Sequence, residues 1–280
     1  QGTNTIIATK MGMSLAKYTI TEAGFGADLG AEKFLNIKCV VGNLKPKTIV
    51  LVATVKALRH HGGAVKEEYG IPSVEKVTKG LENLGKHIEN MQKFGVTPIV
   101  AINSFPNDST EEIALIQAYC NQKEVKAVEA KGFAEGGAGM TELAQTVVET
   151  IGNEKGQFKP LYDWELSVKE KINTIAKEIY GADEVEFSPK AEKDLRQIDV
   201  LGLTNLPICM AKTQKSFSDN AKLLGRPEGF SVTVREFEYA VGAGFIIPIL
   251  GNMMRMPGLP SVPASEGMTI DSNGIISGLS

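Results

Sequence analysis

Thr97-Pro98-Ile99-Val100-Ala101-Ile102-Asn103-Ser104-Phe105-Pro106-Asn107-Asp108 is a short β-branched apolar run that stops abruptly on a polar, proline-containing turn. A continuous run of this kind, without polar alternation, reads as a parallel strand buried on both faces. In parallel α/β sheets the ligand lies beyond the carboxyl ends of the strands. The residues after Ile102 therefore fall where function is found. Phe105, stiffened by Pro106, places a flat ring there. Two readings stay open from this segment alone: a platform for a planar ligand, or a plug closing the top of the sheet.

Outward from it, apolar runs alternate with amphipathic stretches, the pattern of an α/β fold. Residues 17–22 read as a strand and 47–54 as a second, strongly buried one. From Ser73 to Phe94, Val74, Val77, Leu81, Leu84, Ile88 and Met91 recur at spacings of three and four, which predicts an amphipathic helix with Ser73 as its N-cap. Asp108 or Ser109 caps a further helix with Glu111 and Glu112 in its first turn. A short strand is expected over 125–128, a glycine-rich loop over 131–139, and a helix over 142–151 capped by Thr141. A linker follows over 152–160, then a helix over 167–180 ending at Gly181. Strands are expected at 207–211, 230–234 and 245–250, and the chain closes on a hairpin around Ser272-Asn273-Gly274.

The chain has 280 residues, 42% hydrophobic and 22% charged, with a net charge of −3. That balance offers no overall attraction for nucleic acid. No apolar run approaches the roughly 20 residues needed to cross a bilayer, and no secretory leader is legible. The chain begins at Gln1 rather than Met, which points to processing or to a piece of something longer. Cys39, Cys120 and Cys209 are few and scattered, which suits buried thiols in a reducing, cytoplasmic setting. With three histidines and no CxxC or HxxxH spacing, no metal site is expected.

Gly80-Leu81-Glu82-Asn83-Leu84-Gly85-Lys86-His87 nearly spells a phosphate-binding loop. However, His87 replaces the hydroxyl that would hold Mg²⁺, and the helical period runs straight through it. Other candidates sit at strand ends. Gly24, Gly26 and Asp28, with Glu32 and Lys33 beyond them, form a glycine-rich turn able to approach a ligand, or simply a charged surface turn. His60 and His61 precede two glycines and read as a mobile functional loop or a solvated one. Gly136 and Gly137 precede a helix whose free N–H groups suit an anion. Phe25, Phe105 and Phe133 all follow strand candidates in a chain only 6% aromatic, which favours stacking on a planar heterocycle. Lys212-Thr213-Gln214, also at a strand end, reads as a hydrogen-bonded corner or as a segment facing a nucleotide base, the corner being favoured.

Seven segments together resemble the formate–tetrahydrofolate ligase family: TEAGFGADLGAEKF at 21–34, VLVATVKALRHHGG at 50–63, PIVAINSFPNDS at 98–109, GGAGMTELA at 136–144, SVKEKINTIAKEIYGAD at 167–183, NLPICMAKTQKSFSD at 205–219 and MPGLP at 256–260. The resemblance implies ATP-dependent ligation of formate to tetrahydrofolate through formyl phosphate, giving 10-formyltetrahydrofolate. It implies that Phe105, Pro106 and Phe133 hold the pterin ring and that Phe25 belongs to the same site. Position 133 departs from the family's usual Trp. No catalytic residue is assigned.

The family's phosphate-binding loop belongs to an N-terminal region that this sequence does not match, so the resemblance is to the C-terminal half. The implied fold is α/β: the remainder of a P-loop NTPase-like parallel sheet plus smaller α/β C-terminal domains. Its parts are 1–95 from the nucleotide-binding large domain, 96–156 on the folate side, and 157–280 as a C-terminal domain. ATP with Mg²⁺ would enter mainly through the N-terminal half, which is then the natural partner, in a homotetramer. A monovalent cation is admitted. The other reading is a non-catalytic fragment, a folding or interaction module with weak folate binding.

Overall fold

The computed structural model describes residues 3–153, 156–253 and 262–278. A parallel sheet of order β1-β2-β3 is built from β1 (Ile49–Ala53), β2 (Pro98–Asn103) and β3 (Ala127–Ala130), with Leu51 opposite Val100 and Ala101 opposite Val128. β2 lies in the middle and is buried from Pro98 to Ile102, as its unbroken apolar run requires.

Two helices precede the sheet, α1 (Ile6–Leu15) and α2 (Cys39–Gly42), the latter continuing π-helical turns at Gly26–Ala31 and Phe34–Lys38. α3 (Val55–His61), α4 (Val74–Gln92) and α5 (Thr110–Gln122) cover one face of the sheet, where Leu51, Val100 and Ile102 pack on Leu58, Leu81, Ile88 and Ile116. Ser73 caps α4, and Ser109 caps α5 in a box with Glu112. On the opposite face, a short α6 (Gly132–Glu135) leads through a 3₁₀ turn into α7 (Thr141–Asn153), whose Leu143 packs on Ile99, Ala101, Val128 and Ala130.

α7 reaches β2 and β3 but not β1. That face of β1, the edge strand next to β2, is therefore uncovered, with Val50 and Val52 turned to solvent, whereas its apolar run suggested a strongly buried strand. Residues 17–22 form no strand. They bend at Lys17 and Tyr18 and have no ladder partner, and Thr3 and Asn4 bond Glu22 and Thr21 instead. α1 was not expected from the sequence; Ile7, Met11 and Leu15 recur along it every four residues, and this apolar stripe is exposed rather than packed. Residues 131–139 are helical turns rather than an open loop. Thr141 is the first residue of α7 instead of its cap, and its hydroxyl reaches back to the Gly137 carbonyl.

The second half begins with α8 (Val168–Ile175), which runs on as a π-helical turn to Tyr180 and stops at Gly181 with φ +78°. β4 (Glu184–Phe187), α9 (Pro189–Val200), β5 (Ser231–Ala240) and β6 (Phe245–Leu250) follow. In this second sheet β4 pairs parallel and β6 antiparallel with β5. β5 extends well past the expected 230–234 because a register shift near Val234 returns Phe237 to the core.

Residues 207–211 lie along β6 yet form only two separate bridges, at Ile208 and Ala211. The Cys209 N–H donates to Ile246 and the Ala211 N–H to Pro248. At the rung between them Pro248 has no N–H to give, so a continuous strand does not form. The chain ends in the expected hairpin, β7 (Thr269–Ile270) with β8 (Ile276–Ser277). The MPGLP segment at 256–260 and part of the expected linker at 152–160 lie outside the described residues.

α4 joins the two halves. Asn83, Lys86 and Asn90 donate to the carbonyls of Gly225, Glu178 and Ile179, all in the second half. The loop-like glycines of 80–87 serve packing: a Cβ on Gly80 would lie 2.0 Å from the Leu58 carbonyl oxygen, and one on Gly85 would lie 2.2 Å from the Tyr119 hydroxyl.

Candidate functional site

The turn after β2 is closed by its own aspartate. The Phe105 N–H donates to Asp108 Oδ2 at 2.9 Å, and the Asp108 N–H donates to the Phe105 carbonyl at 2.9 Å. Pro106 fixes φ in the middle of this turn. β3 ends beside it, and α6 then lifts Phe133 alongside. The two rings meet at 5.2 Å between centroids, tilted by 51°. Phe105 is 38% exposed and Phe133 71%. The pair is an open aromatic surface at the carboxyl edge of the sheet, not a plug beneath it.

Gly136, at φ +58°, lets the chain turn back after Phe133, and its N–H is committed to the Gly132 carbonyl. The Lys131 N–H donates to Gly139, which closes the segment on itself. Phe25 is exposed and makes no ring contact with either phenylalanine.

Under the platform lies a buried ion network. Arg59, in the last turn of α3, sends Nε and Nη2 to the two oxygens of Glu112 at 2.8 and 2.6 Å. Its Nη1 reaches the Tyr69 carbonyl at 2.8 Å, and Nη2 also faces the Asn107 carbonyl and Asp108 Oδ1, each at 3.4 Å. Burial pushes the Glu112 carboxyl up, but Arg59 and the donors of Ser73 and Ser109 more than offset it and hold it down at about 2. Burial pushes Asp108 up against the opposing pull of the Phe105 N–H and Arg59.

A second polar cluster lies around the glycine-rich turn. Gly24 and Gly26 bracket Phe25. Gly26 has φ +78°, and a Cβ on Gly30 would collide with the Gly24 carbonyl, so the turn folds tightly on itself. Asp28 is carried inward to an ion pair with Lys212 at 2.8 Å. The Lys212 ammonium also bonds the carbonyls of Thr213 and Ser216 and lies 4.8 Å from the Tyr180 ring centroid. The corner expected at 212–214 is present, and its lysine reaches across to Asp28. Neither residue type nor local spacing links those two positions, so this pairing was not legible in the sequence.

Asp28 and His61 line one cavity of about 20 Å³, with Asn83, His87, Gln214, Lys215, Ser216 and Phe217 around it. That is room for about one water molecule. His61 accepts from the Gly225 N–H at 3.1 Å, and burial, then neighbouring His60 and His87, push its pKa down to about 4. The His87 ring lies against Phe217, 4.5 Å between centroids, and desolvation pushes its pKa down.

His60 turns the other way and pairs with the Tyr69 hydroxyl at 2.7 Å. The two histidines therefore belong to a helix end with fixed partners, not to a mobile loop. Glu32 is fully buried, and desolvation raises it to about 7. Its Oε1 accepts from Asn36, while Oε2 has no partner. Lys33 folds back on the Leu29 carbonyl of its own helix.

Among the described residues no group of three or more His, Cys, Asp or Glu side chains is placed to hold a metal ion, and no helix is long and apolar enough to cross a membrane. The chemistry on offer is stacking at the sheet edge over two buried ion networks. The family model described as formate–tetrahydrofolate ligase matches residues 1–280. The chain belongs to the formate–tetrahydrofolate ligase family, in keeping with its α/β fold.

Proposed function

We propose that this chain carries the folate side of ATP-dependent formate–tetrahydrofolate ligation. Tetrahydrofolate lies against Phe105 and Phe133, with Pro106 shaping the turn, and Phe25 approaches from the glycine-rich loop as a further ring. The observation that carries this reading is the exposed Phe105–Phe133 pair at the carboxyl edge of a parallel sheet. Stacking would hold the pterin ring and leave the N10 amine, on the bridge beyond the ring, free to meet an activated formyl group.

Among the described residues, the segment 80–87 that resembles a phosphate loop lies inside α4 and uses its glycines for helix packing, so it does not fit a phosphate cradle. Phosphoryl transfer depends on positioning and neutralising the phosphates, and we assign that task to an N-terminal part of the ligase acting together with this chain, in a homotetrameric enzyme of the cytoplasm.

Isothermal titration with tetrahydrofolate tests the binding half of this reading. Saturable binding is expected, weakened by roughly tenfold or more in Phe105→Ala and Phe133→Ala, since each base-sized stacking contact contributes about 1–3 kcal/mol. Absence of binding to the unaltered chain would overturn it. A coupled ADP assay tests the other half. With ATP and formate the chain alone is expected to release no formate-dependent ADP, and such release would place the phosphate machinery within these residues.

A further inference from the structure

We propose that Arg59 is a positioning residue for the aromatic platform, acting through Asp108 to hold the Phe105 ring at its working distance from Phe133. The inference rests on the folate-side reading above and names what sets the geometry of that site.

Arg59 is 1% exposed, yet it belongs to none of the apolar cores, and its whole guanidinium is spent on polar partners. Two of its bonds go to Glu112, whose oxygens also accept the Ser73 and Ser109 N–H groups at the starts of α4 and α5. That part of the network is helix capping, and it is complete without Asp108. The remaining Nη2 approaches have a different target. They fall on the Asn107 carbonyl and on Asp108 Oδ1, within the turn that carries the ring. Asp108 then uses its other oxygen, Oδ2, to hold the Phe105 N–H.

The path from guanidinium to carboxylate to the backbone of Phe105 is short, and its two side chains are buried, Asp108 only 4% exposed, while its last link at Phe105 opens to solvent. It fixes where Phe105 leaves the strand while the ring itself stays open to solvent. A planar fork is needed to serve Glu112 and the turn together. A lysine at this position can supply a charge but only a single point of contact.

The test uses the full chain carrying 4-fluorophenylalanine at position 105 or, separately, at buried position 217. ¹⁹F spectra and tetrahydrofolate titrations are recorded for Arg59→Lys, Asp108→Ala and the double variant. Asp108→Ala leaves the Arg59–Glu112 pair intact, so it separates the positioning role from the cap. Each single variant is expected to weaken tetrahydrofolate binding by about tenfold, the scale of one charge-assisted hydrogen bond. Each is also expected to shift or broaden the resonance at 105 and leave that at 217 in place. The double variant should bind about as weakly as either single one, because both cut the same path.

Unaltered binding with an unmoved resonance at 105 would overturn the proposal. So would resonances at 105 and 217 that change together with a lowered unfolding midpoint, which would make Arg59 a stitch between helices. If the unaltered chain binds no tetrahydrofolate, the folate reading fails, and the resonance at 105 alone still decides whether Arg59 sets the ring.

Discussion

Phe133 is the residue on which the strength of the platform turns. By the family resemblance a Trp is expected there, and 71% of the Phe133 surface is free. A larger ring at that exposed position has room to spread without disturbing a core. Phe133→Trp is therefore expected to tighten tetrahydrofolate by about 1 kcal/mol, roughly fivefold, with no change in unfolding midpoint. Parallel titrations and thermal scans check this.

Glu32 gives a second expectation. Its folded pKa of about 7 lies above its ordinary 4.5. Below pH 4.5 both folded and unfolded chains hold the proton. Between 4.5 and 7 only the folded state keeps it, so stability falls as pH rises, by about 3 kcal/mol in all. His61 runs the opposite way, gaining stability as pH rises from about 4 to its ordinary 6.5. Glu32→Gln keeps an acceptor for Asn36 and removes the first slope only. Its stability advantage over the unaltered chain should widen from pH 4.5 to 8 in urea unfolding. A constant difference would contradict the burial of that carboxyl as a neutral acid.

At the scale of elements, α4 shows how close approach governs the arrangement. Gly80→Ala would push a methyl group against the Leu58 carbonyl, 2.0 Å away. The expected cost is about 1–3 kcal/mol from overpacking, read as a lower unfolding midpoint. α3 should shift with it, carrying Arg59 and His61. β2, α4, α5 and the terminal hairpin were legible because their signals are local: an unbroken apolar run, a period of three and four, a serine cap and an Asn-Gly turn. α1 was missed although Ile7, Met11 and Leu15 recur every four residues, a short stripe that packs on no core. The interrupted pairing at 207–211 depends on Pro248, an element away, and could not be read from its own apolar run. The Asp28–Lys212 pair and the Arg59 network escaped for the same reason. Buried charges find partners through tertiary placement, which spacing does not encode. The aromatic pair was legible as a set, but the distance between its rings was not.

Among the described residues, besides the terminal hairpin, there are two three-stranded sheets of different make, one parallel and one mixed, and the polar residues of one helix bind them together. Asn83, Lys86 and Asn90 reach into the second half, while Leu81, Leu84 and Ile88 of the same helix pack under the first sheet. Neither half can lose α4 and keep its own contacts. Local opening is thereby discouraged, and the chain should lose structure in one cooperative step. Native-state hydrogen exchange would show it: the slowest amides of β2 and of β5 should exchange with the same free energy as those in the middle of α4. If β5 exchanges at a distinctly lower free energy, the halves are separate folding units. Under a single cooperative step, a destabilising change far out in the second half, at α9 for example, would raise the rate at which the aromatic edge of the first sheet melts. Damage anywhere in the chain would then register as lost occupancy of the folded, ring-presenting state rather than as a locally weakened site.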